Sequence, residues 1–138
     1  MKKVTRFAIF ILLVLAACQT ETEKVCEDRV CTEEFRSVGV RFLDNKGELL
    51  VVNDYQSLNK RTGKVLHSGN PADQPLEGYY TVASDSDLRE LSEKGDVIVV
   101  SARHPETEVL KETQFVVSGG RCACHISKIS GPEQVTFE

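Results

Sequence analysis

The sequence predicts an all-β fold, an antiparallel two-sheet β-sandwich with at most one short helix. Strand-like segments recur about every ten residues after residue 35, separated by glycine, proline, asparagine and aspartate. In the first segment, "SVGVRFL", apolar and polar residues alternate, which puts Val38, Val40 and Phe42 on one face of a strand. Short strands with turn residues between them are typical of sandwiches.

The first 17 residues read as a targeting segment that precedes the fold. Lys2, Lys3 and Arg6 stand before an apolar run from Phe7 to Leu15. That run is shorter than the roughly 20 apolar residues that a membrane-spanning helix needs. We therefore expect residues 1–17 to be a signal peptide that is removed.

The run ends in Leu15-Ala16-Ala17-Cys18, which resembles the lipobox of bacterial lipoproteins. The resemblance implies cleavage before Cys18, a diacylglycerol on its sulfur and an acylated amino terminus, palmitate being the usual type of chain. Two or more lipid chains anchor a protein stably without spanning the bilayer. Residues 18–24 are then a lipidated N-terminus and tether, and residues 25–138 form the β-sandwich domain. Gln19 replaces the aspartate that often marks inner-membrane retention, so the expected location is the outer membrane, periplasmic or surface-facing.

The elements of the first half follow in order. The stretch "DNKG" predicts a hairpin in which Gly47 takes a positive φ, with "ELLVVNDY" as the return strand. A turn around Gly63 leads into a short strand, "KVLH". The segment "SGNPADQPLEG" is the longest loop candidate, since its prolines oppose both helix and central strand. The strand "YYTVAS" follows it.

The second half begins with the one plausible helix, Ser86 to Glu93, which Ser or Asp can cap and Gly95 stops. "DVIVVSAR" is rich in β-branched residues, as in a strand covered on both faces or at a sheet centre. "VLKETQFVVS", "CACHISKI" and "EQVTFE" are the last strand candidates.

The pattern "VxVxFLDxxGE…GYYTVASDSD…DVIVVSARHPET" is similar to transthyretin-like and carboxypeptidase-regulatory-like β-sandwich modules, and to small Ig-like lipoprotein domains. The resemblance covers roughly residues 36–118. It implies an accessory or binding domain, because most such modules are non-catalytic. No functional residue of these families maps onto this chain.

Composition excludes some classes of partner. Residues 1–17 carry three positive charges and no negative ones, so their removal takes the formal net charge from −4 to −7. So acidic a chain does not favour nucleic acid or anionic lipid surfaces. No tryptophan is present, which weighs against a sugar-binding surface built on aromatic platforms.

Four cysteines remain once Cys18 carries lipid, and export places them in an oxidising compartment where disulfides persist. On an extended strand Cys122 and Cys124 are about 6.5–7 Å apart at Cα, at or beyond the bridging limit. Each therefore needs a partner from Cys26 and Cys31. An antiparallel approach gives Cys26–Cys124 and Cys31–Cys122, and the crossed pairing remains open because the sequence cannot choose.

Two other interpretations of "CACH" exist. Cys122, Cys124 and His125 have the donor atoms of a zinc or copper site, but structural zinc sites usually use C-x₂₋₄-C spacing. The second interpretation is a redox pair of Cys122 and Cys124. Their C-x-C spacing weighs against it, because C-x-x-C at a helix start is the arrangement that lowers a thiol pKa. Structural disulfides are the expected use. His67 and His104 have no carboxylate at ligand spacing.

From these expectations we predict that the domain has a binding or accessory role in the bacterial envelope. The chain lacks a G-x-S-x-G elbow and a calcium-loop spacing, so we expect no enzyme and no cofactor besides the lipid. Its partners are the membrane, through the anchor, and an envelope protein. Tyr79 and Tyr80, beside the long loop, are the expected contact residues, since loops on rigid sandwiches carry recognition and tyrosines offer amphipathic contact area.

Overall fold

The structure, a computed structural model, describes residues 25–26, 29–69 and 78–138. It contains two packed sheets, with strand orders β4-β1-β8 and β3-β2-β5-β6-β7. All neighbouring strands pair antiparallel except β1 and β8, which pair parallel. The strands are β1 Ser37–Leu43, β2 Asn53–Asn59, β3 Val65–Gly69, β4 Tyr79–Ser84, β5 Asp96–Arg103, β6 Leu110–Ser118, β7 Ser127–Ser130 and β8 Gln134–Thr136. The predicted all-β sandwich is confirmed.

The core lies between the two sheets, and alternation along the strands builds it. Val38, Val40 and Phe42 of β1 all point inward, as the sequence predicts. The centre is aromatic, with the ring of Phe42 edge-on to Tyr80 at 5.3 Å between centroids. The buried apolar residues are Val38, Val40, Phe42, Val52, Tyr55, Tyr80, Val82, Ala83, Leu91, Ile98, Val100, Ala102, Phe115, Val117, Ile126, Val135 and Phe137.

The chain after β1 turns as predicted but does not return as a strand of the same sheet. Gly47 has a φ of 82°, and the Asp44 carboxylate accepts the N–H groups of Lys46 and Glu48. Only one ladder bridge, Leu43 to Leu49, follows the turn. The expected return strand "ELLVVNDY" is therefore wrong over its first half. The chain crosses here to the other sheet, and Val52 is buried on the way.

Strand β5 lies at the centre of the five-stranded sheet, between β2 and β6. Its residues alternate between buried and half-buried, so one face packs in the core while Val97 and Val99 face outward. The β-branched run is thus explained by a central position, the second of the two alternatives that its composition allows.

The predicted helix is a 3₁₀ helix at Asp85–Glu90 within the described part of the chain. Ser84 is its N-cap, and the Asp87 carboxylate accepts the Ser84 N–H at 2.9 Å in a capping box. The helix ends earlier than the predicted Glu93 because Leu91 adopts an extended conformation and packs into the core.

Strand direction gives the sandwich two distinct ends. The cysteine end comprises residues 25–26 and 29–36, the 3₁₀ helix, the turn at 60–64 and the segment 119–126. The hairpin end comprises the turns at 44–48 and 104–109, the residues Gly69 and Gly78 that flank the long loop, and Glu138. The loop residues 70–77 lie outside the described part. The eight residues of β5 make the two ends about 27 Å apart.

Candidate functional site

The cysteine segment lies between β6 and β7 and is not a strand. Residues 119–126 form turns and bends, and regular pairing resumes at Ser127. Gly119 and Gly120 hold the segment against the end of the 3₁₀ helix, where the N–H of Gly120 donates to the carbonyl of Leu88 at 2.7 Å. Gly120 has a φ of 101°, and a Cβ there would lie 2.7 Å from the Glu93 side chain. These glycines let the cysteine segment approach the helix closely.

Two disulfides join this segment to the N-terminal part of the domain. Cys26 bridges Cys122 and Cys31 bridges Cys124, each with Cα atoms 5.3 Å apart. The expectation that the two N-terminal cysteines pair with the two C-terminal ones is confirmed. The antiparallel assignment, Cys26–Cys124 with Cys31–Cys122, is wrong. The bridges follow the same order in both parts of the chain, so the first N-terminal cysteine, Cys26, pairs with the first C-terminal one, Cys122.

His125 lies next to the second bridge and joins three parts of the chain. Its Nδ1 is 2.8 Å from the Oδ2 of Asp85, and its Nε2 is 3.0 Å from the Oγ1 of Thr32. Since a carboxylate only accepts, the ring donates its Nδ1–H to Asp85, and its Nε2 shares a hydrogen bond with the Thr32 hydroxyl. The side chains of His125 and Asp85 are mostly buried.

The Asp85 carboxylate is the centre of this group. Its Oδ2 accepts the N–H of Arg36 at 2.8 Å, and its Oδ1 accepts the N–H of Ile126 at 2.9 Å. Burial raises the pKa of Asp85, but these two backbone donors and the His125 ring outweigh it, so the pKa lies below its usual value. The carboxylate thus stays ionised at neutral pH, with donors on both oxygens.

Thr32, His125 and Asp85 are hydrogen-bonded in series, in the order of nucleophile, base and orienting acid that enzymes of acyl transfer use. Such chemistry also needs N–H donors aimed at the developing oxyanion. The neighbouring backbone N–H groups of Arg36 and Ile126 are instead directed at Asp85. Thr32, His125 and Asp85 form a hydrogen-bonded clasp, which holds the N-terminal segment (residues 25–26 and 29–36) on the cysteine segment (residues 119–126).

A second histidine–aspartate pair lies on the same 3₁₀ helix. The Nε2 of His67, on β3, is 2.7 Å from the Oδ2 of Asp87. Asp85 and Asp87 therefore connect one short helix to the N-terminal segment and to the five-stranded sheet. Sequence reasoning recognised Asp87 as a cap but missed both pairs, because the partners are 20 and 40 residues apart and no local spacing indicates them.

A cleft of about 540 Å³ lies beside the clasp. Its walls are the two bridges, the side chains of Arg29 and Glu93, and His125. Ser127 lines this cleft and also a second groove, which runs along Phe35 and Ile126. The two depressions together follow the N-terminal segment along one side of the domain.

The metal-site alternative at Cys122, Cys124 and His125 lacks free ligands in this structure. Both sulfurs are in disulfides, and both ring nitrogens of His125 have hydrogen-bond partners. Residues 25–26, 29–69 and 78–138 contain no group of three or more His, Cys, Asp or Glu that could hold a metal ion.

The expected contact pair, Tyr79 and Tyr80, is divided between the two faces of β4. Tyr80 is 1% exposed and accepts the N–H of Val52 at 2.9 Å, so its assignment to a contact surface is wrong. Adjacent residues of a strand point to opposite faces, which allows only one of the two to lie outside. Tyr79 is the outer one, half-buried, with its ring lying over Gly39.

The expected lipidation site, Cys18, and residues 1–24 lie outside the described residues, as does the long loop from 70 to 77. Across the residues that are described, no helix has the length and apolar character to cross a membrane. A comparison of the chain with protein-family models, curated proteins and solved structures finds no match in any of the three.

Proposed function

We propose that the chain is a lipid-anchored envelope protein whose disulfide-bonded β-sandwich has a binding or accessory role rather than a catalytic one. In this proposal Cys18, at the end of the lipobox-like run Leu15–Cys18, carries a diacylglycerol, and Gln19 after it favours the outer membrane. The carrying observation is that both disulfides attach the N-terminal segment, directly after the tether, to the domain. Such bridges suit an exported protein.

The direction of the strands supports a division of labour between the two ends. Val25, the first described residue, lies at the cysteine end, and Gly69 and Gly78, which flank the long loop, lie at the hairpin end. A partner in the envelope then meets the loop at the hairpin end, about 27 Å from the cysteine end, together with the exposed side of Tyr79 on the face of β4. Recognition by a loop carried on a rigid sandwich is a common arrangement.

Anchoring is tested by growing cells with an alkyne-bearing palmitate and comparing the wild type with C18S. We expect the label and membrane recovery in the wild type, and neither in C18S. Equal labelling of both would reject Cys18 as the lipid site.

The binding role is tested with photo-crosslinking side chains placed at position 79 and, as a control, at position 112, where Glu112 lies exposed on the outer face of the five-stranded sheet. We expect an envelope protein to crosslink at position 79 alone. Crosslinks from both positions, or from position 112 only, would reject the contact surface.

The alternative function is a metal-handling or redox lipoprotein that uses Cys122, Cys124 and His125. Intact mass, thiol titration and metal analysis of one sample distinguish the two. Two disulfides lower the mass by four hydrogens, about 4 Da, and leave no reactive thiol. Reactive thiols with stoichiometric zinc or copper would instead identify the cysteine segment as the functional site.

A further inference from the structure

We infer that the N-terminal segment, residues 25–26 and 29–36, is a membrane-docking surface that lies in the headgroup region of the bilayer. The inference rests on the proposed lipid anchor at Cys18. It adds a second contact with the membrane, made by protein side chains. The partner is a zwitterionic lipid interface, and the contacting side chains are Val25, Val30 and Phe35.

These three side chains are the most exposed large apolar groups of the described residues. Val25 is 91% exposed, Val30 is fully exposed, and Phe35 is 69% exposed. All three lie within eleven residues of one another, directly before β1. Large exposed apolar side chains concentrated in one short segment indicate an interaction site more strongly than singly scattered ones do.

The segment cannot turn these groups inward. Cys26 and Cys31 are fixed by the disulfides, the Thr32 hydroxyl is held by His125, and the Arg36 N–H is held by Asp85. Four attachments over eleven residues therefore hold the backbone on the domain while the valines and the phenylalanine face solvent.

The length of chain before the segment sets its distance from the bilayer. Seven residue steps separate Cys18 from Val25, which allows at most about 25 Å when extended and about 15 Å as a flexible chain. The headgroup region adds about 5–7 Å on each side of the hydrocarbon. The N-terminal segment is thus within reach of the interface, whereas the hairpin end is a further strand length away.

Charge decides which lipids suit this surface. Residues 25–36 include four acidic side chains, Glu27, Asp28, Glu33 and Glu34, and two basic ones, Arg29 and Arg36. A net charge of −2 gives no attraction to anionic lipid. The contact is therefore apolar, between side chains and a zwitterionic interface, with the lipid anchor supplying a high local concentration.

The absence of tryptophan in the sequence allows a direct test. Single variants V30W and F35W of the full lipidated chain are reconstituted in phosphatidylcholine vesicles with brominated acyl chains. V109W is the matched control, because Val109 is 54% exposed at the hairpin end. We expect quenching about twofold or more stronger at positions 30 and 35 than at 109, with blue-shifted emission.

Flotation of the same vesicles separates the two hypotheses. A chain that floats while positions 30 and 35 behave like 109 overturns the docking surface and leaves the anchor intact. A chain that does not float overturns the anchor and the docking surface with it. V25W replaces either variant whose mass shows a missing disulfide. Replacing a fifth of the lipid with phosphatidylglycerol is expected to leave the quenching unchanged, and an increase would overturn the assignment to a zwitterionic interface.

Discussion

The imidazole Nδ1 of His125 lies 2.8 Å from the Oδ2 of Asp85, although the two residues are 40 positions apart in the chain. Through this contact the cysteine segment, the 3₁₀ helix and the N-terminal segment meet in one hydrogen-bonded group. The two disulfides link two of these parts covalently, the N-terminal segment and the cysteine segment. The 3₁₀ helix is held to both by hydrogen bonds to Asp85.

Replacing His125 by alanine should lower the free energy of unfolding by about 1–3 kcal/mol, since the mostly buried Asp85 carboxylate loses a hydrogen-bond donor. Urea unfolding with the disulfides intact measures the change. S86A, an exposed substitution on the same helix, is the control and should stay within about 0.5 kcal/mol. Equal values for the two variants would show that the clasp does not stabilise the domain.

The contribution of each disulfide to the free energy of unfolding should depend on whether the other disulfide is present. Alone, either bridge closes a loop of more than 90 residues, worth about 4–5 kcal/mol in the chain-entropy model. With one bridge present, the second closes only about eight residues and adds about 2–3 kcal/mol. C26A/C122A and C31A/C124A should therefore each lose about 2–3 kcal/mol, and the quadruple variant about 7 kcal/mol. A quadruple loss equal to the sum of the two pairs would contradict the shared loop.

Acid should destabilise the domain through Asp96. The Arg61 guanidinium donates to both oxygens of this buried carboxylate, and Asn59 and Ser92 donate as well, which holds its pKa at about 2. An unfolded aspartate has a pKa of about 3.9, so on acidification the unfolded chain takes up the proton first.

The stabilisation from Asp96 is therefore complete above about pH 4 and is lost as the pH falls toward 2, by about 2 kcal/mol. Urea unfolding midpoints measured from pH 7 to pH 2 show this acid-dependent loss of stability. The D96N variant should be less stable at pH 7 and should show a shallower decline between pH 4 and 2. Parallel curves for the wild type and D96N would refute the assignment.

Tyr80 and Tyr79 should respond differently to loss of their hydroxyl groups. Y80F leaves the N–H of Val52 buried without its acceptor, which should cost about 1–3 kcal/mol. Y79F keeps the ring over Gly39 and should stay within about 0.5 kcal/mol. Thermal or urea unfolding of the two single variants compares them directly, and a larger loss for Y79F would be inconsistent with the burial of Tyr80.

Local patterns in the sequence were sufficient for the sandwich. Alternation in β1, the positive φ of Gly47 and the β-branched composition of β5 are properties of a few neighbouring residues, and each is found as expected. The same alternation should have separated Tyr79 from Tyr80, since adjacent strand residues cannot share a face. The expectation of a shared contact surface neglected this.

Features that depend on how distant segments approach could not be read from the sequence. The disulfide pairing depends on the order in which Cys26 and Cys31 meet Cys122 and Cys124, and cysteine spacing carries no information on that order. Likewise, the apolar run before Val52 fits either a return strand or a crossover to the second sheet. The partners of His67 and His125 are fixed by tertiary packing alone.

The Cys26–Cys122 bridge also determines how the domain would respond to mechanical load. Tension applied between the tether and Glu138 passes through this covalent link and bypasses the 95 residues between the two cysteines. Only the chain after Cys122, with β7 and β8, lies in the loaded path. Most of the sandwich, including its central strand β5, would therefore keep its shape while the anchor and the far end are pulled apart.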